Sequence, residues 1–170
     1  ATWNYDWTRV MREEVDLCHV YVYNGGHDWI DCGQPGQNKR LFGIASYGGR
    51  LYVAGDDQTG GVLKLFVHAG GTDWQPCATF TSREHFFPHA MGVFAGKLYI
   101  GTESIFTYDG ERLVYAGTPA GCTQVHSLEV FGGQLYAGTW PEGKVFRYAG
   151  NEMWEDCGRL GDSTEVNALV

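Results

Sequence analysis

The sequence predicts an all-β fold, a β-propeller with blades of four antiparallel strands, and three observations lead to it. An eight-residue word occurs three times: Gly48-Gly49-Arg50-Leu51-Tyr52-Val53-Ala54-Gly55, Ala95-Gly96-Lys97-Leu98-Tyr99-Ile100-Gly101-Thr102 and Gly132-Gly133-Gln134-Leu135-Tyr136-Ala137-Gly138-Thr139. A second word, an aromatic followed by a glycine turn, a tryptophan and a cysteine, runs from Tyr23 to Cys32 and returns from Tyr148 to Cys157. The 25 glycines and the 15% share of aromatic residues fit many short strands joined by tight turns. Repeats spaced by roughly forty residues with this turn chemistry are how propeller blades look in sequence.

The last complete unit, about 124–164, shows the order of elements. Val125 to Phe131 reads as an inner strand and Gly132-Gly133 as a hairpin turn. Gln134 to Thr139 is the second strand, Lys144 to Tyr148 the third, and Met153 to Cys157 the outer one. The unit at 39–85 repeats this order, with Leu63 to His68 as third strand and Trp74 to Cys77 as fourth. The unit at 86–123 is shorter and lacks the tryptophan, with Val114 in its place. The unit at 1–38 is partial: Ala1-Thr2-Trp3 matches Gly138-Thr139-Trp140, His19 to Tyr23 is a third strand, and Trp29 to Cys32 a fourth. Residues 165–170 match the start of the inner strand at Gln124 and begin another blade. About four blades are therefore visible. Cut strands expose unpaired backbone groups, so the expectation is a segment of a larger propeller, completed by the rest of a longer chain or by other copies. The alternative is a four-bladed ring in which residues 165–170 complete the first blade.

The formal charge of −8 repels phosphate backbones, and no cluster of Lys and Arg offsets it, so nucleic acid is not an expected partner. No apolar run approaches the roughly 20 residues of a membrane-spanning helix. A soluble protein is expected, its compartment open. Of the five cysteines, Cys32, Cys77 and Cys157 each follow a tryptophan by three residues. Equivalent positions in different blades lie far apart, so these three are expected to be small buried hydrophobes rather than disulfide partners. Cys18 and Cys122 fall outside the pattern. No zinc spacing and no cofactor-binding motif is present.

The glycine pair followed by Leu-Tyr and a second glycine resembles kelch-like propellers. The windows Val22 to Trp29 and Val67 to Trp74 resemble degenerate Asp-boxes, the hairpin turns of sialidase-like propellers. Asn24 and Ala69 stand where that pattern has Asp, and Asp28 and Asp73 where it has Thr, so only the glycine and the tryptophan match. The resemblance implies architecture across nearly the whole chain. The motifs form turns and do not carry either family's activity.

Aligning the glycine pairs places Phe42, His89, His126 and Asn167 at one step of the inner strand, a ring of candidate ligand-binding residues around a common axis. The same ring would serve merely to fill a channel mouth and bind water. Two imidazoles with no carboxylate in register are too few donors for a metal. The loops between second and third strands add Asp56 and Asp57, then Glu103, then Trp140 and Glu142, a varied aromatic and acidic surface on a constant frame. Trp3, Trp7 and Trp140 are possible stacking platforms for a sugar, and the carboxylates could accept from its hydroxyls or face a basic protein patch. The long insertion from Trp3 to Cys18 holds Arg9, Arg12, Glu13, Glu14 and Asp16, as a helical cap or a partner-binding finger.

The leading expectation is a noncatalytic module recognising a glycan or a protein. The alternative is a carbohydrate-active hydrolase or lyase with His89 or His126 as acid and base. The sialidase-like resemblance implies an arginine cluster and a tyrosine nucleophile, for which Arg9, Arg83 and Arg159 occupy unrelated repeat positions. The tyrosines Tyr52, Tyr99, Tyr136, Tyr23, Tyr108 and Tyr148 read as core. His85 and His89 are four apart, but Pro88 places them in a loop and a strand rather than on one helix.

Overall fold

The computed structural model describes residues 18–38, 40–56, 62–81 and 88–170. The expectations for Trp3, Trp7, the insertion, Asp57, Arg83 and His85 lie outside them, as does the opening of the chain at 1–17. Fourteen strands are present in four antiparallel sheets, each running in sequence order, and no helix occurs among the described residues. The first sheet is the hairpin β1 (Tyr21–Gly25) and β2 (Asp28–Asp31). The second holds β3 (Arg40–Tyr47), β4 (Arg50–Asp56), β5 (Val62–Gly70) and β6 (Asp73–Thr81). The third holds β7 (Ala90–Phe94), β8 (Lys97–Gly101), β9 (Ile105–Tyr108) and β10 (Leu113–Tyr115). The fourth holds β11 (Gln124–Phe131), β12 (Gln134–Trp140), β13 (Lys144–Gly150) and β14 (Met153–Arg159). The chain is thus all-β, and among the described residues no helix is long and apolar enough to cross a membrane.

Each sheet buries one face against the next, because alternation along a strand sends every second side chain to the same side. The core accordingly lies in three slabs. Val20, Leu41, Val53, Phe66 and Trp74 fill the space between the first and second sheets. Tyr52, Leu65, Phe80, Leu98, Ile100 and Tyr108 fill that between the second and third. Tyr99, Ile105, Leu128 and Leu135 pack between the third and fourth, with Tyr148 and Trp154 against them. The first strands β3, β7 and β11 are neighbours in that order.

A tryptophan on the outer strand ties a sheet to the one before it. Trp74 is 8% exposed and its Nε1 donates to the carbonyl of Cys32 at 2.8 Å. Trp154 donates to the carbonyl of Ala116 at 2.9 Å. Both acceptors lie three residues beyond the corresponding position of the preceding sheet. The residue after each acceptor is a glycine at positive φ, Gly33 and Gly117, lying under the next sheet's outer turn. A Cβ there would stand 2.3 Å from the carbonyl oxygen of Thr72 and 2.1 Å from that of Glu152. Only glycine permits this approach.

Strand register corrects the expectation for the third sheet. Tyr23 faces Trp29, His68 faces Trp74, and Tyr148 faces Trp154. The corresponding Tyr108 faces Leu113, so Leu113 rather than Val114 takes the tryptophan's place. Val114 points away and is exposed, whereas Leu113 packs on the slab it faces. Leu113 brings apolar contact and no N–H donor, and the ring pairs Tyr52–Tyr108 and Phe80–Phe106, 5.9 and 5.4 Å between centroids, hold this junction.

The second glycine of the repeated word is explained by the following inner segment. A Cβ on Gly101 would lie 2.6 Å from Val125 Cγ1, and one on Gly138 2.6 Å from Val166 Cγ1. Backbone bonds cross at the same places, Val125 N to Thr102 O at 2.6 Å and Val166 N to Thr139 O at 3.3 Å. Residues 165–170 thus occupy the expected place, but they do not form a strand. A single crossing bond does not make a ladder.

Three smaller expectations are corrected. Cys157 is exposed on β14, and Cys32 and Cys77 are half-buried rather than buried. Tyr23 is exposed instead of core, since nothing covers the outer face of the first hairpin among the described residues, and Tyr136 and Tyr148 are half-buried. Cys32, Cys77, Cys122 and Cys157 are free thiols, and burial pushes the Cys122 thiol up to about 12.

Replacing Trp74 with Phe is expected to cost about 1–3 kcal/mol, because the Cys32 carbonyl loses its donor in a part-buried setting. Trp29→Phe, at an exposed indole, should stay within about 0.5 kcal/mol. Urea midpoints of the two variants measure the difference. For Gly138→Ala, the added methyl meets Ser127 Oγ at 2.3 Å as well as Val166, and overpacking predicts a loss of about 1–3 kcal/mol by the same measurement.

Candidate functional site

The stacking of the first strands brings the four aligned positions into one row. The Phe42 and His89 rings are 5.0 Å apart between centroids at 54°, and His89 and His126 are 4.7 Å apart at 35°. Asn167 continues the row, its Oδ1 2.8 Å from His126 Nδ1. Phe42, His89 and His126 are half-buried and Asn167 is exposed, so the row has one face toward solvent.

The hydrogen bonds orient the ring of His126. Asn167 Nδ2 donates to Glu165 Oε2 at 3.1 Å, which turns the amide oxygen toward the imidazole. Nδ1 of His126 therefore donates to Asn167 Oδ1. Its Nε2 lies 2.6 Å from Gln124 Oε1, so both ring nitrogens face amide oxygens. His89 is in a different state. Burial first, then the neighbouring His126 and Arg40, push its pKa down to about 4, with Glu165 opposing them. His89 is a neutral imidazole at pH 7.

A second set of residues supports the row. Arg40 places its guanidinium carbon 5.9 Å from the Phe42 ring centroid, Gln124 holds His126, and Glu165 orients Asn167. Each stands two residues before its row member, and on an extended chain positions i and i+2 share a face. That period was the available signal for them in the sequence. Phe87 holds the same place before His89, outside the described residues.

The loop residues are dispersed. Trp140 is half-buried at the end of β12, where its backbone faces Gln124 and its carbonyl accepts from Thr123 N at 3.0 Å. Glu142 is exposed and bound to Lys144 Nζ at 2.8 Å, which also reaches Asp156 at 3.3 Å. Asp56 ends β4 beside Arg40 in register. Glu103 is half-buried and lines a groove of 570 Å³ between β6 and the β9–β10 hairpin, with Phe80, Phe106, Tyr115, Ser104 and Thr118. There the Ser104 and Thr118 hydroxyls are 2.7 Å apart, and that of Tyr115 is 3.0 Å from Thr118. This groove is separate in its lining from the histidine row.

Groups named for sialidase-like chemistry are held in structural roles. Arg159 donates through Nε to Ser163 O at 2.9 Å and through Nη2 to Asp162 O at 3.0 Å, clamping the turn after β14. Burial pushes the Tyr99 and Tyr108 phenols up to about 12, which keeps them protonated and weak as nucleophiles. Among the described residues, no group of three or more His, Cys, Asp or Glu side chains is placed to hold a metal ion. No protein-family profile matches this chain, and no curated protein is significantly similar to it.

The low pKa of His89 has a stability consequence. The unfolded chain takes up a proton near pH 6.5 and the folded one only near 4, so the stabilisation is complete above 6.5 and falls as pH drops from 6.5 to 4. The loss is at most about 3 kcal/mol, reduced by solvent screening at this partly exposed ring. Urea midpoints across that range should fall less steeply for His89→Phe than for the unaltered chain.

Proposed function

We propose that this chain is part of a β-propeller recognition module that binds a carbohydrate, without catalysis, over the Phe42–His89–His126–Asn167 row. The propeller reading is supported by the sequence-ordered meanders, the repeated tryptophan bond to the preceding sheet, and the adjacency of β3, β7 and β11. The observation that carries the binding reading is the row itself, contributed by equivalent positions on successive units. A sugar ring has an apolar C–H face and equatorial hydroxyls. The Phe42 ring suits the first, and a neutral imidazole and an exposed amide suit the second.

Two observations weigh against the acid–base alternative. Both nitrogens of His126 are already bonded to amides, and His89 has a pKa about three units below neutrality, where a general base is weak. The net charge of −8 disfavours anionic glycans and leaves neutral or amino sugars as the class.

Thermal unfolding against a panel of neutral and amino oligosaccharides tests this. A sugar that binds only the folded state at about a hundred times its Kd stabilises it by about 2.7 kcal/mol. The expected result is a saturable rise in Tm that disappears in His126→Ala and persists in Glu142→Gln. A folded chain that responds to no sugar removes the glycan reading and leaves a protein ligand. Binding unaltered in Trp140→Ala removes that indole from the site.

A further inference from the structure

The outer turns of β1–β2, β5–β6 and β13–β14 share one backbone geometry and differ in one reactive side chain. In each, the strand register skips a residue just before the turn: Asn24, Ala69 and Ala149. A glycine at positive φ follows each of them, Gly25 at 101°, Gly70 at 114° and Gly150 at 84°. Ala69 and Ala149 present an inert methyl at this place. Asn24 presents a carboxamide, and it is the one asparagine of the sequence that a glycine follows.

An asparagine carboxamide carbon lies within reach of the next residue's peptide nitrogen. Attack is ordinarily held back by the side chain on the attacking residue and by the strand ladder that fixes the peptide. Both restraints are weak at Asn24. Gly25 has no Cβ to crowd its nitrogen, and Asn24 is the bulge residue, with no facing partner on β2. The turn also has room for a new ring, since a Cβ on Gly25 or Gly26 would meet nothing within 4 Å. Asn24 is exposed, so water reaches it, and its Nδ2 donates to Asp28 Oδ2 at 2.8 Å, the charged group in contact with the amide. Other asparagines are placed differently. Asn38 is buried, with Nδ2 bound to Pro35 O, and Asn151 and Asn167 precede Glu152 and Ala168, whose side chains crowd the nitrogen.

We propose that Asn24 is a self-modification site, at which Gly25 N displaces the side-chain nitrogen and water converts the resulting imide to isoaspartate and aspartate. The bond from Gly25 N to Asn24 Cγ forms and the Cγ–Nδ2 bond breaks. The proton of Gly25 N leaves with Nδ2 as ammonia, and a succinimide remains. Water that adds at Cγ restores the normal main chain with an aspartate. Water that adds at the Asn24 backbone carbonyl carbon routes the chain through Cβ and Cγ, giving isoaspartate and an extra carbon in the strand. Either product replaces the donor to Asp28 with a second carboxylate, which repels it. Isoaspartate also breaks the register that sets Gly25 opposite Asp28, so the β1–β2 hairpin loosens. The equivalent hairpins, with Ala69 and Ala149, are immune. The inference does not depend on a ligand at the histidine row.

Ageing the folded chain at mildly alkaline pH, followed by peptide mass spectrometry with fragmentation that separates isoaspartate from aspartate, tests it. The expected result is progressive exchange of NH2 for OH at Asn24, with both isomers present. Asn24→Ala, which copies the residue of the two equivalent hairpins and so keeps the fold, should abolish the change. An Asn24 that stays intact in the folded chain overturns the inference, and the chain held in urea shows whether the fold is what protects it. Aspartate without isoaspartate overturns the imide route, because direct hydrolysis gives aspartate alone. Conversion that persists in Asn24→Ala belongs to another residue and overturns the assignment. Hydrogen exchange reads the effect on structure: amides of β1–β2 should exchange faster in the aged chain while those of β11–β14 do not change, and unchanged exchange in β1–β2 overturns the loosening.

Discussion

The bond from an outer-strand indole to a backbone carbonyl of the preceding sheet is the constraint on which the rest of the arrangement depends. It works only because a glycine follows the acceptor and lets the next hairpin turn reach van der Waals distance. Trp74 with Cys32 and Gly33, and Trp154 with Ala116 and Gly117, are two instances of one device. A buried carbonyl that accepts an indole N–H avoids the desolvation penalty of an unmade bond, and the same indole supplies much of the apolar area at the junction. Where Leu113 replaces the tryptophan, tilted Tyr–Tyr and Phe–Phe ring pairs supply area without the bond.

A constant step between sheets has a consequence for chemistry. Because each sheet meets the next at the same repeat positions, by an indole bond or by Leu113 and the aromatic pairs, equivalent positions on the inner segments come to lie side by side. Phe42, His89, His126 and Asn167 do so, although they are dispersed over most of the chain. The neighbours then set the protonation of the row: His89, between Phe42 and His126, is desolvated and neutral, and His126 is fixed by Gln124 and Asn167. Packing energetics and the character of the row therefore have one origin.

Most of the local structure was legible in the sequence. The strands expected in the last unit appear at β11 to β14 within two residues, since glycine turns and two-residue alternation are local signals. The aligned row was legible too, because a repeat transfers position from one unit to another. Burial was less so. Tyr23 and Cys157 carry the same repeat position as buried or half-buried counterparts, and both are exposed because they face outward at the two ends of the series. Sequence spacing puts Val114 at the tryptophan's place and strand pairing puts Leu113 there, since spacing counts residues along a shortened loop while pairing across β9 and β10 decides which side chain faces inward.

By itself the sequence determined the all-β class, the order of strands, the turns and the register of the histidine row, since these follow from local conformational preference repeated at a fixed period. Only the tertiary structure decided which chemical form those residues take and which repeats are satisfied. The neutral state of His89 and the pairing of His126 with Asn167 both arise from contacts between separate repeat units. Such contacts depend on the distance between chain segments far apart in sequence, which no local pattern records.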